Sequence, residues 1–349
     1  MIKTGIIGYG KMGRIRAQTA LETGNAKLCA VYDESPDAFV ADLPWVETTA
    51  EVLQNQEIQA IFICTPNHLN KPLTIAALEA GKHVFCEKPP AFTADDVEEI
   101  RAVEALSGCK LMYGFNHRHH SSMQRAKREI DSGSYGRLLW MRGRYGKSVD
   151  DNFARTWRAS KELAGGGILL DQGIHMLDLF LFFAEEFDVV QALISNLYWK
   201  LDIEDNVFAQ FLNTKTGAAA SLHSTMTQWR HLFSLEIFLE KGHIVVNGLK
   251  TSSGTYGNEV LTLEHNSRKP PEVRWDETIR ITYNSDTSWR SEVDTFFDAI
   301  LHDRPIENGN SADALKLMKL MDKIYTEGLS RPINSHPHYS PSTFQTLPI

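Results

Sequence analysis

The chain of 349 residues is poor in cysteine, has no basic run and has no long apolar segment, and each shortage closes off a class of protein. Its four cysteines, Cys29, Cys64, Cys86 and Cys109, form no Cys-x-x-Cys pair and have no histidine at metal-ligand spacing. They read as buried reduced thiols, and the protein as cytosolic. Met1 to Gly8 lacks the apolar core and cleavage site of a secretory signal. A net charge of −8 and a pI near 5.9, with no alternation of basic and aromatic residues, argue against a nucleic-acid partner. The longest apolar stretch, around Leu177 to Ala184, contains Asp178 and is too short to span a bilayer, so no membrane partner is expected. What remains is an ordinary globular composition, 42% hydrophobic and 23% charged, in a chain long enough for two domains.

The first third alternates short apolar runs with helical segments. Thr4 to Gly8, Lys27 to Tyr32, Ala60 to Cys64, His83 to Cys86 and Leu111 to Phe115 read as strands buried on both faces. Leu69 to Ala80 reads as a helix stopped by Gly81, and Thr93 as the cap of a helix with acids in its first turn. This rhythm predicts an α/β fold with a doubly wound parallel sheet over 1–118. Over 119–330 the strands crowd together: Arg137 to Tyr145, Val189 to Leu197, Val207 to Phe211, Ala218 to Thr225, Leu232 to Leu239 and His243 to Val246. Asn213 to Gly217 reads as a hairpin turn, and helices Ser121 to Asp131, Trp289 to Leu301 and Ala312 to Tyr325 complete an α+β domain with an open, mostly antiparallel sheet. The last two helices are expected to close that second domain. Residues 331–349 read as a tail.

Gly8-Tyr9-Gly10-Lys11-Met12-Gly13 matches G-x-G-x-x-G between a strand and a helix, with Asp33 ending the next strand. Gly8 suits the tight turn, Gly10 the approach of a pyrophosphate, and Gly13 the packing of helix on strand. The helix start at Lys11 and Met12 offers free N–H groups to phosphate. Asp33 accepts ribose hydroxyls and repels a 2′-phosphate, which favours NAD over NADP.

Two further patterns carry chemistry. Lys88 follows Glu87 at the carboxyl end of a strand, where open sheets bind ligands, and Pro89 fixes where it leaves the chain. Asp171 and His175 lie four residues apart on one face of an apolar helix, behind Gly165-Gly166-Gly167. For an isolated Asp-x-x-x-His the ordinary reading is a core histidine and a cap. The glycines change the balance by letting substrate and cofactor approach the backbone. Alcohol oxidation needs a base for the hydroxyl proton, and imidazole with its ordinary pKa of ~6.5 suits it. Asp171 would fix the imidazole tautomer or hold a hydroxyl, and Lys88 would face the developing alkoxide. His117, His119 and His120 crowd the domain junction without a carboxylate at ligand spacing, so no metal is expected.

These motifs, with Ala80-Gly81-Lys82-His83-Val84-Phe85-Cys86-Glu87-Lys88-Pro89 and Asp171 to Asp178, resemble the glucose–fructose oxidoreductase / inositol dehydrogenase (Gfo/Idh/MocA) family of NAD(P)-dependent oxidoreductases. The resemblance runs in order along nearly the whole chain. It implies that His175 is the base with Lys88 its partner, and that Glu87 supports the cofactor. Thr65, Pro66, Asn67 and His68 would line the cofactor, while Asn116 and Arg118 would lie at the substrate. Trp157 and Arg158 resemble a substrate loop, Trp157 stacking on a sugar and Arg158 holding an anion. The implied reaction is hydride transfer between nicotinamide and a secondary hydroxyl or ketone of a sugar, an inositol-like polyol or a nucleotide-linked sugar. Two other functions fit the same frame: an NAD-dependent glycoside hydrolase, and a non-catalytic NAD-binding regulator. The family covers its open sheet by oligomerising, which implies a homodimer or homotetramer.

Overall fold

A computed structural model describes residues 1–265 and 278–329. Strands β1 (Ile2–Ile7), β2 (Ala26–Tyr32), β3 (Ala60–Ile63), β4 (His83–Cys86) and β5 (Leu111–Tyr113) form one sheet in the order β2-β1-β3-β4-β5, every pair parallel. Helices α1 (Lys11–Glu22), α2 (Thr49–Gln54), α3 (Asn70–Glu79) and α4 (Ala94–Ser107) connect them. Successive side chains leave a strand on opposite faces. Ile61 and Ile63 therefore pack in one core with Ala77, Leu78, Val97 and Ile100, while Phe62 enters a second core with Ala17 and Ala20. Thr93 caps α4 by accepting from the Asp96 N–H, and Asp96 returns a bond to the Thr93 N–H. The chain leaves β1 toward β2 on one side and resumes at β3 on the other. That reversal opens a crevice at the carboxyl ends of β1 and β3.

Helix α5 (Ser121–Asp131) leads into the second sheet. Its strands are β6 (Leu138–Ser148), β7 (Val189–Ser195), β8 (Asn206–Leu212), β9 (Ala219–Thr225), β10 (Thr227–Leu239), β11 (Gly242–Asn247), β12 (Glu259–His265) and β13 (Ile279–Tyr283). They are ordered β13-β12-β11-β10-β6-β9-β8-β7. Only β6 and β9 run parallel among the described pairs. The short helix α6 (Lys161–Ala164), a π-helical turn over Leu169–Gly173 and α7 (Ile174–Ala184) bring the apolar segment against this sheet. Taken whole, Lys161–Ala184 has the length and composition to cross a bilayer, more than Leu177 to Ala184 alone indicates. Its most apolar window is 78% buried in the core.

The structure corrects one expectation about the C-terminal helices. α8 (Ser288–Leu301) does not close the second domain. Val293, Phe296 and Phe297 pack under the first sheet with Ile6, Phe62 and Phe85, covering the face that α1 begins to cover. α9 (Ser311–Leu329) returns beside α4 and α7. The tail expected from Arg331 lies outside the described residues.

Candidate active site

The glycine loop is shaped by what surrounds it. Gly8 has φ +89°, and a Cβ there would lie 2.6 Å from the Cys64 carbonyl oxygen. A Cβ on Gly13 would lie 2.0 Å from the Gly8 carbonyl oxygen, so α1 can start this close to β1 only with glycine there. At Gly10 an added Cβ meets nothing within 4 Å. The same residue heads α1 with no side-chain cap, and Lys11 and Met12 begin the helix. Bare backbone facing open space at an uncapped helix start is a cradle for a pyrophosphate, and the residues fit a dinucleotide. Asp33 closes the loop from β2, accepting from the backbone N–H groups of Tyr9 and, at 2.8 Å, Ser35.

On the next crevice wall, Thr65, Pro66, Asn67 and His68 follow β3. Asn67 donates across the domain boundary to the Ala164 carbonyl at 2.8 Å, so its amide is a clasp between domains. Asn70, buried behind it, donates to the carbonyls of Glu87 and Pro89 and fixes the lysine loop, whose Lys88–Pro89 bond is cis. Glu87 is buried, and its carboxylate accepts from the buried Arg16 Nε at 2.7 Å.

Lys88 crosses to the second domain. Its ammonium donates to the Asp171 carbonyl at 2.6 Å and to Asp171 Oδ1 at 3.3 Å. An ammonium has three donors, so one is left without a protein partner among the described residues. Asp171 also accepts from Lys147 Nζ at 3.0 Å and has Arg158 Nε 3.9 Å away. Burial pushes the Asp171 carboxyl upward, but Lys88, Lys147 and Arg158 together hold it well below the usual carboxylate range. Burial lowers the Lys88 pKa, and Asp171 opposes that shift.

His175 is 6% exposed and makes no hydrogen bond among the described residues; its Nδ1 is buried without a partner. The expectation that Asp171 fixes its tautomer is therefore corrected, because Asp171 is engaged by lysines and acts on the ring only through its charge. The ring is instead held by a stack on His117, with centroids 3.9 Å apart and planes 20° apart. His117 is itself clamped between Asn116 Oδ1 at 3.1 Å and the Tyr145 hydroxyl at 2.9 Å. Burial drives His175 well below its ordinary pKa, and Lys88 adds to this against Asp171. Burial also drives His117 well down, so the stack is of two neutral imidazoles. Lys88 comes from the first domain and His175 from the second, and Asp171, four residues before His175, holds the Lys88 ammonium.

Other expected positions serve the frame. Arg118, expected at the substrate, is 3% exposed and donates to Asp178 from Nε and Nη2 at 2.8 and 2.7 Å and to Asp313 from Nη1 at 2.7 Å. Its guanidinium is committed to tying the junction to α7 and α9. Asn116 positions His117 through its Oδ1 and donates to the Ser288 hydroxyl at 3.3 Å. Trp157 and Arg158 lie at the cleft edge, the guanidinium 4.4 Å over the indole. The glycine run does not leave room for ligands either. A Cβ on Gly166 would meet the Tyr325 hydroxyl at 2.2 Å, and one on Gly167 the Glu204 carbonyl at 2.1 Å. Glu204 went unnoticed in the sequence. Its buried carboxylate accepts from the N–H groups of Gly167 and Leu169 and from Tyr325, and so caps the turn that carries Asp171. No cluster of metal-binding side chains occurs among the described residues, and the junction histidines pair with Tyr145, Ser291 and Glu259.

Comparison with known proteins bears on this geometry. The model of an oxidoreductase family's NAD-binding Rossmann fold matches residues 2–115, and that of the GFO/IDH/MocA C-terminal domain matches residues 123–245. The chain belongs to the GFO/IDH/MocA family. This member is 36% identical to levoglucosan dehydrogenase of Pseudarthrobacter phenanthrenivorans over 146 residues, which is 41% of this chain but only 37% of that protein. It is 26% identical to myo-inositol 2-dehydrogenase of Thermotoga maritima over 282 residues, 76% of this chain and 80% of that one. In fold it superposes on a levoglucosan dehydrogenase solved with NADH and levoglucosan, with a TM-score of 0.83 at 23% identity, covering 94% of this chain and 97% of that one. This GFO/IDH/MocA protein is an NAD-binding oxidoreductase, and the paired Lys88 and His175 lie where its two family domains meet.

Proposed function

We propose that the protein transfers hydride between NAD and a secondary hydroxyl or ketone of a sugar or polyol. The observation that carries this reading is the reach of Lys88, with one unshared N–H, across the domain boundary to Asp171, four residues before His175 with its unbonded ring. Gly8, Gly10 and Gly13 with the start of α1 would hold the pyrophosphate, and Asp33 the adenine-side ribose. The nicotinamide, when bound, supplies the hydride acceptor. His175 takes the proton from the substrate hydroxyl, a task for which its lowered pKa keeps it unprotonated at neutral pH. The free N–H of Lys88 donates to the same oxygen and stabilises its growing negative charge in a partly dry site. Asp171 holds Lys88 in place through two contacts and balances part of its charge. The proteins it resembles act on anhydrosugars and inositols, which supports the substrate class.

The test is a panel of sugars, inositols and nucleotide sugars assayed at 340 nm with NAD and with NADP. NADH formation with at least one polyhydroxylated substrate is expected, and His175→Ala should lower kcat by about 10²–10⁴-fold. Near-normal turnover in that variant, or a clear preference for NADP, defeats the corresponding assignment. A cytosolic location and a homodimer or homotetramer built on the outer face of the second sheet complete the proposal.

A further inference from the structure

Beside the catalytic pair lies a second cavity that hydride transfer does not use. It has a volume of about 630 Å³, and its walls include Lys147, Phe153, Thr156, Trp229, Arg230 and His231. Two routes tie it to the catalytic segment. Lys147 lines it and also donates to Asp171. On the opposite wall His231 stands edge-on to the Tyr256 ring, with centroids 4.9 Å apart, and the Tyr256 hydroxyl donates to Gln172, next to Asp171. The cavity therefore begins beside the residue that anchors Lys88, yet neither Lys88 nor His175 lines it. A ligand there extends away from the reacting carbon.

The lining names the chemistry. Trp229 is wholly exposed, the most exposed large apolar residue of the described chain, and its burial is given up for no internal contact. Phe153 also lines the cavity, with the Lys147 ammonium 4.9 Å from its ring. Arg230 is exposed and makes no ion pair among the described residues, and Thr156 and Asn152 add hydroxyl and amide groups. Aromatic walls with the Arg230 guanidinium beside them suit a ring that is apolar on its faces and hydroxylated at its edges. The volume falls within the roughly 300–1,000 Å³ typical of ligand pockets and is more than one pyranose fills.

We infer that this cavity is a second subsite, and that the preferred substrates are glycosides whose second ring stacks between Trp229 and Phe153 while the first ring reaches Lys88 and His175. This rests on the proposed function for the position of the reacting ring. The experiment compares free glucose, galactose and mannose with their phenyl glycosides and with cellobiose, in the parent and in Trp229→Ala and Phe153→Ala. In the parent, kcat/KM for glycosides should exceed that for the matching hexoses, mainly through KM. Either substitution should lower that ratio about tenfold, and light scattering should show an unchanged mass. A ratio that does not move, or a Trp229→Ala variant that changes mass because the indole meets a second copy, overturns the inference. If no sugar reduces NAD, the proposed function fails by itself. Calorimetry of phenyl glucoside with the NAD-loaded protein then decides the subsite: binding lost in Trp229→Ala upholds it, and absent or unchanged binding overturns it.

Discussion

Beneath the lysine loop one guanidinium serves two carboxylates. Arg16 is fully buried, with Nε 2.7 Å from Glu87 and Nη1 2.6 Å from Glu292, and its plane lies 4.4 Å from the Phe85 ring centre. One positive charge neutralises one carboxylate, and the second pays the cost of burial by keeping its proton. Burial pushes the Glu292 carboxyl up to about 8, with Arg16 opposing the shift and Glu87 adding to it. In the unfolded chain the same group titrates near ~4.3. Between those values the folded state binds more protons, so this group's contribution to stability is full below the unfolded pKa and is lost as pH rises toward 8. Glu292→Gln removes the titration and keeps the shape. Denaturant unfolding at pH 5 and pH 8 should show the difference between variant and parent moving toward the variant by on the order of 3–4 kcal/mol. A pH-independent difference would mean that Glu292 stays ionised beside Arg16.

At the scale of elements, the segment that carries Asp171 and His175 is not the plain helix its spacing predicts. Leu169–Gly173 forms a π-helical turn before α7, so Asp171 and His175 sit on two different windings, with Asp171 turned to the lysines. Glu204 pins the entry to that turn, and Gly167 lets it come that near. Gly167→Ala places a methyl 2.1 Å from the Glu204 carbonyl oxygen, which must move. Destabilisation of about 1–3 kcal/mol is expected, with kcat falling alongside because Asp171 shifts relative to Lys88; melting and steady-state kinetics measure both. Unchanged kcat in a destabilised variant would separate the glycine from the site.

How much of this was legible follows from which forces are local. The first sheet was, because strands covered on both faces are continuous apolar runs, and the helix ends at Thr93 and at Gly81, with φ +70°, are short-range chemistry. β12 and β13 were not: β13 is an edge strand, and its Ile279, Ile281 and Tyr283 stay partly or fully exposed among charged neighbours. Lys88 and His175 stood out in the sequence through their local motifs, Glu-Lys-Pro and Asp-x-x-x-His. The stack that orients His175 was not, because His117 and His175 meet only once the turn after β5 is folded against α7. Arg118 looked like a substrate ligand because nothing local announces that Asp178 and Asp313 converge on it.

At the scale of the whole molecule, the division of the chain and the division of its packing differ. Helix α8 belongs by sequence to the second half and by burial to the first sheet, while Asn67–Ala164 and the Arg118 ion pairs cross the same boundary. One face of the second sheet, however, has no helix on it among the described residues. Trp140 stacks on Phe238 with centroids 4.1 Å apart, and Phe208 on His223 at 4.0 Å. Phe208 and Leu193 pair across strands with 47% of each still exposed. A shallow hollow of about 320 Å³ runs between them, edged by Arg142 and Arg144. Flat aromatic ladders, with Arg142 held by Glu236 at 2.7 Å on their rim, suit a sheet that self-associates, since exposed apolar faces of large extent are rare on monomers. A copy related by a two-fold axis would place one ladder on the other and bury the apolar rows on both. Phe208→Glu puts a carboxylate at the centre of that contact on each copy, so two like charges meet where two rings did. Light scattering of the parent should give a mass of two or four chains, and that of Phe208→Glu a mass of one. A parent that is already monomeric, or a variant that keeps its full mass, would show that the copies associate through another surface.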